Sequence, residues 1–145
     1  MNLTLFSDYS LRILMYAALN GNQQFSVDDV ADAYKLSRHH VAKAVNFLAQ
    51  AEYLTAKRGR GGGISLGKKP VEIRIGRLLR ETEAGTPFIE CFDATTNTCP
   101  LIKGCTLKGA LLEAWNAFFD TLDKYTLADL VKRPERLQQA LALSS

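Results

Sequence analysis

The alternation of apolar and polar positions divides this chain into predicted elements. From Asp8 the apolar residues fall at Leu11, Ile13, Leu14, Ala17, Ala18 and Leu19, a helical stripe that Ser7 or Asp8 would cap and Gly21 would stop. Residues 23–25 form a short link. Ser26 then caps a second helix with Val27, Val30, Ala31 and Tyr34 on one face, and Asp28 and Asp29 occupy its first turn, where the helix dipole favours acids. Leu36 and another capping residue, Ser37, precede a third helix. In it Val41, Ala44, Val45 and Leu48 repeat at core spacing, while Arg38, His39, His40 and Lys43 stand at its start, His39 and Lys43 sharing one face.

The period then shortens. Residues 53–56 read as a strand, Ile64-Ser65-Leu66 alternates like a returning one, and Gly67 ends it. Between them lie Lys57, Arg58, Gly59, Arg60, Gly61, Gly62 and Gly63, so the pattern predicts a hairpin around a basic glycine loop. Helix, turn, helix and basic hairpin is the order of a winged helix-turn-helix. In that arrangement the second helix of the pair enters the major groove with its N-terminal residues against the bases. Ser37, Arg38, His39, His40 and Lys43 are therefore candidate DNA-reading residues. Arg58 and Arg60 are candidate phosphate or minor-groove contacts, and Gly61 lets the loop backbone approach a groove closely. Cradling a nucleotide phosphate is the competing use of such glycines. It needs a helix and a Lys-Ser/Thr pair after the loop, and here a strand follows.

Lys68, Lys69 and Pro70 close the hairpin. Residues 73–83 read as a helix with Ile75, Leu78 and Leu79 inward and an outward, solvated face of Arg74, Arg77 and Arg80; Thr86-Pro87 ends it. Further on, Leu107, Leu111, Ala114, Phe118, Leu122 and Tyr125 step by 4, 3, 4, 4 and 3, which predicts a long helix over 106–124. Ala110, Trp115 and Ala117 widen its apolar face beyond what a small winged helix covers, and a twofold dimer is the simplest use of the surplus. Thr126 caps a short helix over 127–131, and a helical tail follows Pro134. The expected fold is mostly α with a small β-hairpin. A winged helix-turn-helix DNA-binding domain would span 1–85, a loop 86–106, and a dimerisation helix with its tail 107–145.

Charge sharpens the DNA expectation. Residues 1–80 carry twelve Lys and Arg against six Asp and Glu, whereas residues 81–145 carry six against nine, so the net charge of +3 is concentrated in the N-terminal part. A basic half points to an anionic partner, most commonly nucleic acid. With 145 residues and 47% hydrophobic content, the chain suits one ordinary globular unit. No apolar run is long enough to span a membrane. The start lacks a positive n-region and is interrupted by Asp8 and Arg12, so a cytoplasmic location is expected.

That expectation bears on the cysteines. Cys91, Cys99 and Cys105, the only three, are separated by seven and then five residues in a polar stretch with Pro100 and Gly104. In a reducing compartment, clustered cysteines read as a metal or redox site rather than as staples. Their spacing is not the paired two-residue spacing of common zinc knuckles. Three thiolates suit an iron–sulfur cluster with a fourth ligand from elsewhere, while structural zinc and three ordinary cysteines remain the alternatives. An enzyme or electron carrier would need a nucleotide motif, a nucleophile–base pair or a second cysteine set, and none is apparent.

LTLFSDYSLRILMY at the start, LSRHHVAKAVNFL in the third helix, RGRGGGISLGKKP in the hairpin, the three cysteines and YTLADLV near the end together resemble one family. It is the winged-helix, cluster-binding repressors that include the nitric-oxide-sensing NsrR type and the iron- and cluster-sensing RirA and IscR types. The resemblance implies a homodimer with crossing C-terminal helices that binds a palindromic operator. It also implies a cluster, [4Fe–4S] with [2Fe–2S] as the alternative, and nitric oxide as the signal that ends DNA binding. In NsrR-type proteins an Asp near the N-terminus, from the partner subunit, is the fourth ligand; Asp8 stands at the matching position. Seven residues between the first two cysteines are closer to RirA, which keeps iron sensing as the rival. IscR carries a His soon after its third cysteine, where this chain has Leu107 and Lys108.

Overall fold

In the computed structural model of the chain, which describes residues 2–143, helix α1 (Leu5–Leu19) starts earlier than its apolar stripe predicts. Thr4 is the N-cap, not Ser7 or Asp8: its hydroxyl accepts the Ser7 N–H at 3.2 Å. Ser7 is fully buried and Asp8 lies within the first turn, so neither stands at the helix entrance. Helix α2 (Val27–Tyr34) follows the prediction, with a capping box in which Ser26 and Asp29 exchange hydrogen bonds of 2.7 and 3.1 Å. The chain then turns at Lys35, whose left-handed backbone (φ 55°) lets the Leu36 N–H return to the Ala31 carbonyl at 2.9 Å. Helix α3 (Arg38–Gln50) buries Val41, Ala44, Val45 and Leu48, as their spacing requires.

Strands β1 (Leu54–Lys57) and β2 (Gly63–Leu66) pair antiparallel, from Leu54 opposite Leu66 to Lys57 opposite Gly63. The link before α2 is more than a connection. Phe25 and Ile64 exchange both backbone hydrogen bonds, at 3.0 and 2.8 Å, which ties the wing to the helical core.

A single 3₁₀ turn (Pro70–Glu72) precedes helix α4 (Ile75–Glu83), which begins later than residue 73 because residues 73–75 are engaged elsewhere. Arg74 pairs with Thr126 across an antiparallel bridge: the Ile75 N–H donates to the Tyr125 carbonyl at 3.0 Å and the Leu127 N–H to the Ile73 carbonyl at 2.9 Å. Helix α5 (Thr106–Leu122) packs along α4, followed by the short α6 (Leu127–Leu130) and α7 (Pro134–Ala140). The arginines of α4, expected on a solvated face, help to dock α5. Arg80 pairs with Asp120, and its guanidinium carbon lies 4.8 Å from the centre of the Phe119 ring; Arg74 donates to the Asp123 carbonyl at 3.1 Å. Arg74 makes no side-chain cap for α4, and the Asp123 carboxylate accepts the Arg77 N–H at 2.7 Å in its place.

The core is one apolar cluster drawn from α1, α2, α3, the hairpin and α4, completed by Phe119 of α5 and Leu127 of α6. Phe119 was not part of the predicted apolar stripe, yet it is the buried residue of α5, with Trp115 and Leu122 partly buried beside it. Leu107, 65% exposed, and Tyr125, 49% exposed, belong to that stripe and face outward. Among the described residues no helix is long and apolar enough to cross a membrane.

Candidate nucleic-acid interface and cysteine loop

The predicted reading residues share one surface. Ser37 occupies the N-cap of α3 without making a side-chain capping bond, and Arg38, His39, His40 and Lys43 are all exposed. Their placement is steered from neighbouring helices. The Arg38 guanidinium is paired with Asp28 of α2 at 2.5 Å; the His40 ring centre is 6.1 Å from that of Tyr9; the Lys43 ammonium is 5.9 Å from the centre of the Phe6 ring. Phe6 also meets Phe47 edge-on at 5.2 Å. The first turns of α1 are thus in direct contact with α3, the candidate recognition helix.

In the wing, Arg58, Arg60 and Gly61 are exposed. Gly59 and Gly61 have φ of 93° and 77°, left-handed values that favour glycine, and the Gly62 N–H closes on the Gly59 carbonyl at 2.9 Å. A groove of about 460 Å³ lies between the wing and the start of α2, lined by Lys57, Gly62 and Gly63 of the wing and by Asp28, Asp29 and Arg38. Asp28, expected only as an acid of the first turn of α2, also holds Arg38. Arg60→Ala is expected to weaken operator binding and to lower the slope of log K against log salt by about one unit, the signature of one lost phosphate contact. A salt titration of operator binding checks this, and an unaltered slope would place the loop away from the phosphates.

The cysteine loop runs between α4 and α5. All three thiols are free and half-buried. Cys91 sits in a 3₁₀ turn (Glu90–Phe92), and the Cys105 sulfur caps α5 by accepting the Lys108 N–H at 3.4 Å. The spacer between Cys91 and Cys99 is braced by two carboxylates. Glu90 accepts the Thr98 hydroxyl and N–H, both at 2.7 Å. Asp93 accepts the Thr95 hydroxyl at 2.6 Å, the Thr95 N–H at 2.8 Å and the Thr96 hydroxyl at 3.0 Å. These bonds, led by the threonine hydroxyls, hold both carboxyls below the usual carboxylate range. The Asn97 side chain receives the Cys99 N–H at 3.1 Å. Neither brace was foreseen, although an Asp followed two and three residues later by threonines is a legible turn signal. Phe88 stacks on Trp115 with ring centres 4.8 Å apart, laying the loop against α5.

Asp8 projects from the first turn of α1 and forms a two-pronged ion pair with Arg12, at 3.0 and 2.9 Å. Among the described residues, no three His, Cys, Asp or Glu side chains converge within the single chain as a ready-made metal site. The donor set nevertheless is of the kind that holds a thiolate-bound metal or cluster. It offers three free cysteines, none sunk in the apolar core, in a loop held by its own hydrogen bonds and by the Phe88–Trp115 stack.

Comparison with known proteins agrees with this architecture. A family model described as an iron-dependent transcriptional regulator, Rrf2, matches residues 3–133. The chain is 42% identical over 144 residues to the HTH-type transcriptional regulator NsrR of Bacillus subtilis strain 168, covering 99% of both chains. It is 43% identical over 142 residues to the NsrR of Geobacillus kaustophilus, covering 97% of each. Among solved structures, T. potens IscR superposes with a TM-score of 0.73 over 95% of this chain and 91% of that one, at 22% identity, a likeness of fold. The expectation of a regulator rather than an enzyme agrees with these relatives. On its winged helix-turn-helix fold and this nearly full-length match, the chain belongs to the Rrf2 family of transcriptional regulators.

Proposed function

We propose that this regulator is an iron–sulfur-dependent repressor that binds a palindromic operator as a homodimer and releases it in response to nitric oxide. In this reading residues 1–85 bind DNA, 86–106 carry the cofactor and 107–145 hold the dimer together. The observation that carries it is the cysteine loop: three free thiols, braced by Glu90 and Asp93, strung between α4 and α5. The NsrR name of the relatives supports nitric oxide as the signal. A reducing cytoplasm, where thiols stay available as ligands, suits the role.

Cys91, Cys99 and Cys105 would hold the cluster, [4Fe–4S] by family resemblance, with Asp8 of the partner subunit as its oxygen ligand. Bound there, it supplies iron to which nitric oxide can ligate. The chain's own residues supply the transmission. Phe6 and Tyr9 flank Asp8 on α1 and pack against Phe47, Lys43 and His40 of α3. A movement of the first turns of α1 therefore displaces the recognition helix. Asp8 has Arg12 as an alternative partner on its own chain, so a released carboxylate is not left unpaired.

Seven residues between Cys91 and Cys99 favour one second reading, an iron-responsive repressor that responds to loss of the cofactor. Anaerobic titration of the loaded protein with nitric oxide and, separately, with an iron chelator separates the two, with operator binding as the readout. The nitric oxide reading expects release at a few equivalents of nitric oxide and slow release by chelator. The iron reading expects chelator to act at once. Operator binding by protein free of iron and sulfide, undiminished by either reagent, would refute both.

A further inference from the structure

Glu83 is a buried carboxylate to which neither DNA binding nor cofactor ligation assigns a part. It is 6% exposed, at the last residue of α4, where the chain leaves for the cysteine loop. One of its oxygens collects three donors from the start of α1: the Thr4 N–H at 2.9 Å, the Thr4 hydroxyl at 2.8 Å and the Ser7 hydroxyl. The Ser7 hydroxyl also lies 2.7 Å from that of Thr82, so the last turn of α4 grips the first turn of α1 through two adjacent residues. These contacts join positions 79 and 76 residues apart in sequence. Ser7 is fully buried and immediately precedes Asp8. Glu83 also borders a cleft of about 610 Å³ whose lining includes Phe88, Asp93, Thr95 and Trp115, the loop and its support.

A buried carboxylate is costly unless it is hydrogen-bonded, and three donors on one oxygen fix its position tightly. We propose that Glu83 is a positioning residue that locks the first turn of α1, and with it Asp8, to the root of the cysteine loop. This rests on the reading in which Asp8 and the cysteines ligate the same kind of cofactor. In the dimer that reading describes, each Glu83 ties the base of its own subunit's loop to the turn that offers Asp8 to the other. Disturbance at one cluster site is thereby passed to the second.

The test compares wild type, Glu83→Ala, Glu83→Gln, Asp8→Ala and the Glu83→Ala/Asp8→Ala double variant. All are loaded with cluster anaerobically, and loss of visible absorption is followed under excess chelator. Glu83→Ala should lose its cluster about tenfold faster, the scale typical of residues that orient a metal's ligands. Glu83→Gln, which keeps an acceptor for the same donors, should remain near wild type. The double variant should be no faster than Asp8→Ala alone. In the apo protein, amide exchange at the start of α1 should quicken in Glu83→Ala. If Glu83→Ala fails to fold, Ser7→Ala removes one donor and should show the same order of rates. Additive effects in the double variant, or an inert Glu83→Ala beside a sensitive Asp8→Ala, would overturn the proposal alone. A faster Glu83→Ala beside an inert Asp8→Ala would overturn the assignment of Asp8 and the proposal with it.

Discussion

Adding one methyl group at Gly76 is expected to prise α4 away from α5. A Cβ built there would lie 2.2 Å from the Phe119 carbonyl oxygen, 2.6 Å from the Asp123 N and 2.6 Å from an Asp123 carboxylate oxygen. Two of these are backbone atoms of the helix opposite and its C-cap, which a rotamer change cannot move. Relief requires α5 to retreat, and the retreat would break several contacts together. It withdraws Phe119 from the core, separates Asp123 from the Arg77 N–H that it caps, and parts Arg80 from Asp120. Overpacking of this kind costs about 3 kcal/mol. In a protein of this size that lowers Tm by about 6–12 °C. Gly76→Ala should therefore show a clearly reduced urea midpoint, measured against Gly109→Ala in α5, where an added Cβ meets nothing within 4 Å. Equal midpoints for the two variants would mean that α4 and α5 do not pack closely at Gly76.

Gly76 also marks where the sequence stops being legible. Local signals read well: the Ser26–Asp29 capping box, the turn into α3, the buried stripe of α3 and the basic hairpin all depend on residues close together in the chain. What failed depends on partners far away. Thr4 caps α1 in place of Ser7 because Ser7 is withdrawn into the bonds with Thr82 and Glu83. Helix α4 starts at Ile75 because Arg74 bridges to Thr126. Phe119 escaped notice because α5 is apolar around much of its circumference. Periodicity finds such a helix but cannot say which of the adjacent Phe118 and Phe119 turns inward. The candidate site divides the same way. The clustering of the three cysteines made the loop a candidate metal site from the sequence, whereas the bracing by Glu90 and the burial of Glu83 left no mark on composition or period.

The face of α5 that Phe119 leaves behind carries the second large prediction. Phe88, Leu111, Ala114, Trp115, Ala117 and Phe118 line an almost wholly apolar groove of about 550 Å³, and Leu107 and Leu112 stand exposed on the same helix. Contiguous apolar surface on a small protein marks a contact site, and a second copy of the helix is the occupant that the dimer reading requires. Ala117 is exposed in the single chain, so Ala117→Glu adds a charge without touching the core, and Glu is a good helix former. In the dimer the same carboxylate would be buried unpaired against apolar side chains. Ala117→Glu is therefore expected to sediment as a folded monomer with unchanged helical circular dichroism. A monomer engages one half-site, so operator affinity should fall by about a hundredfold or more, the gain that linkage of two sites normally provides. Glu113→Ala, which alters an exposed residue of α5 outside the groove, should change neither property. A dimeric Ala117→Glu with full operator affinity would show that this groove is not where two chains meet. Monomeric protein with full affinity would show instead that the operator needs only one wing and one recognition helix.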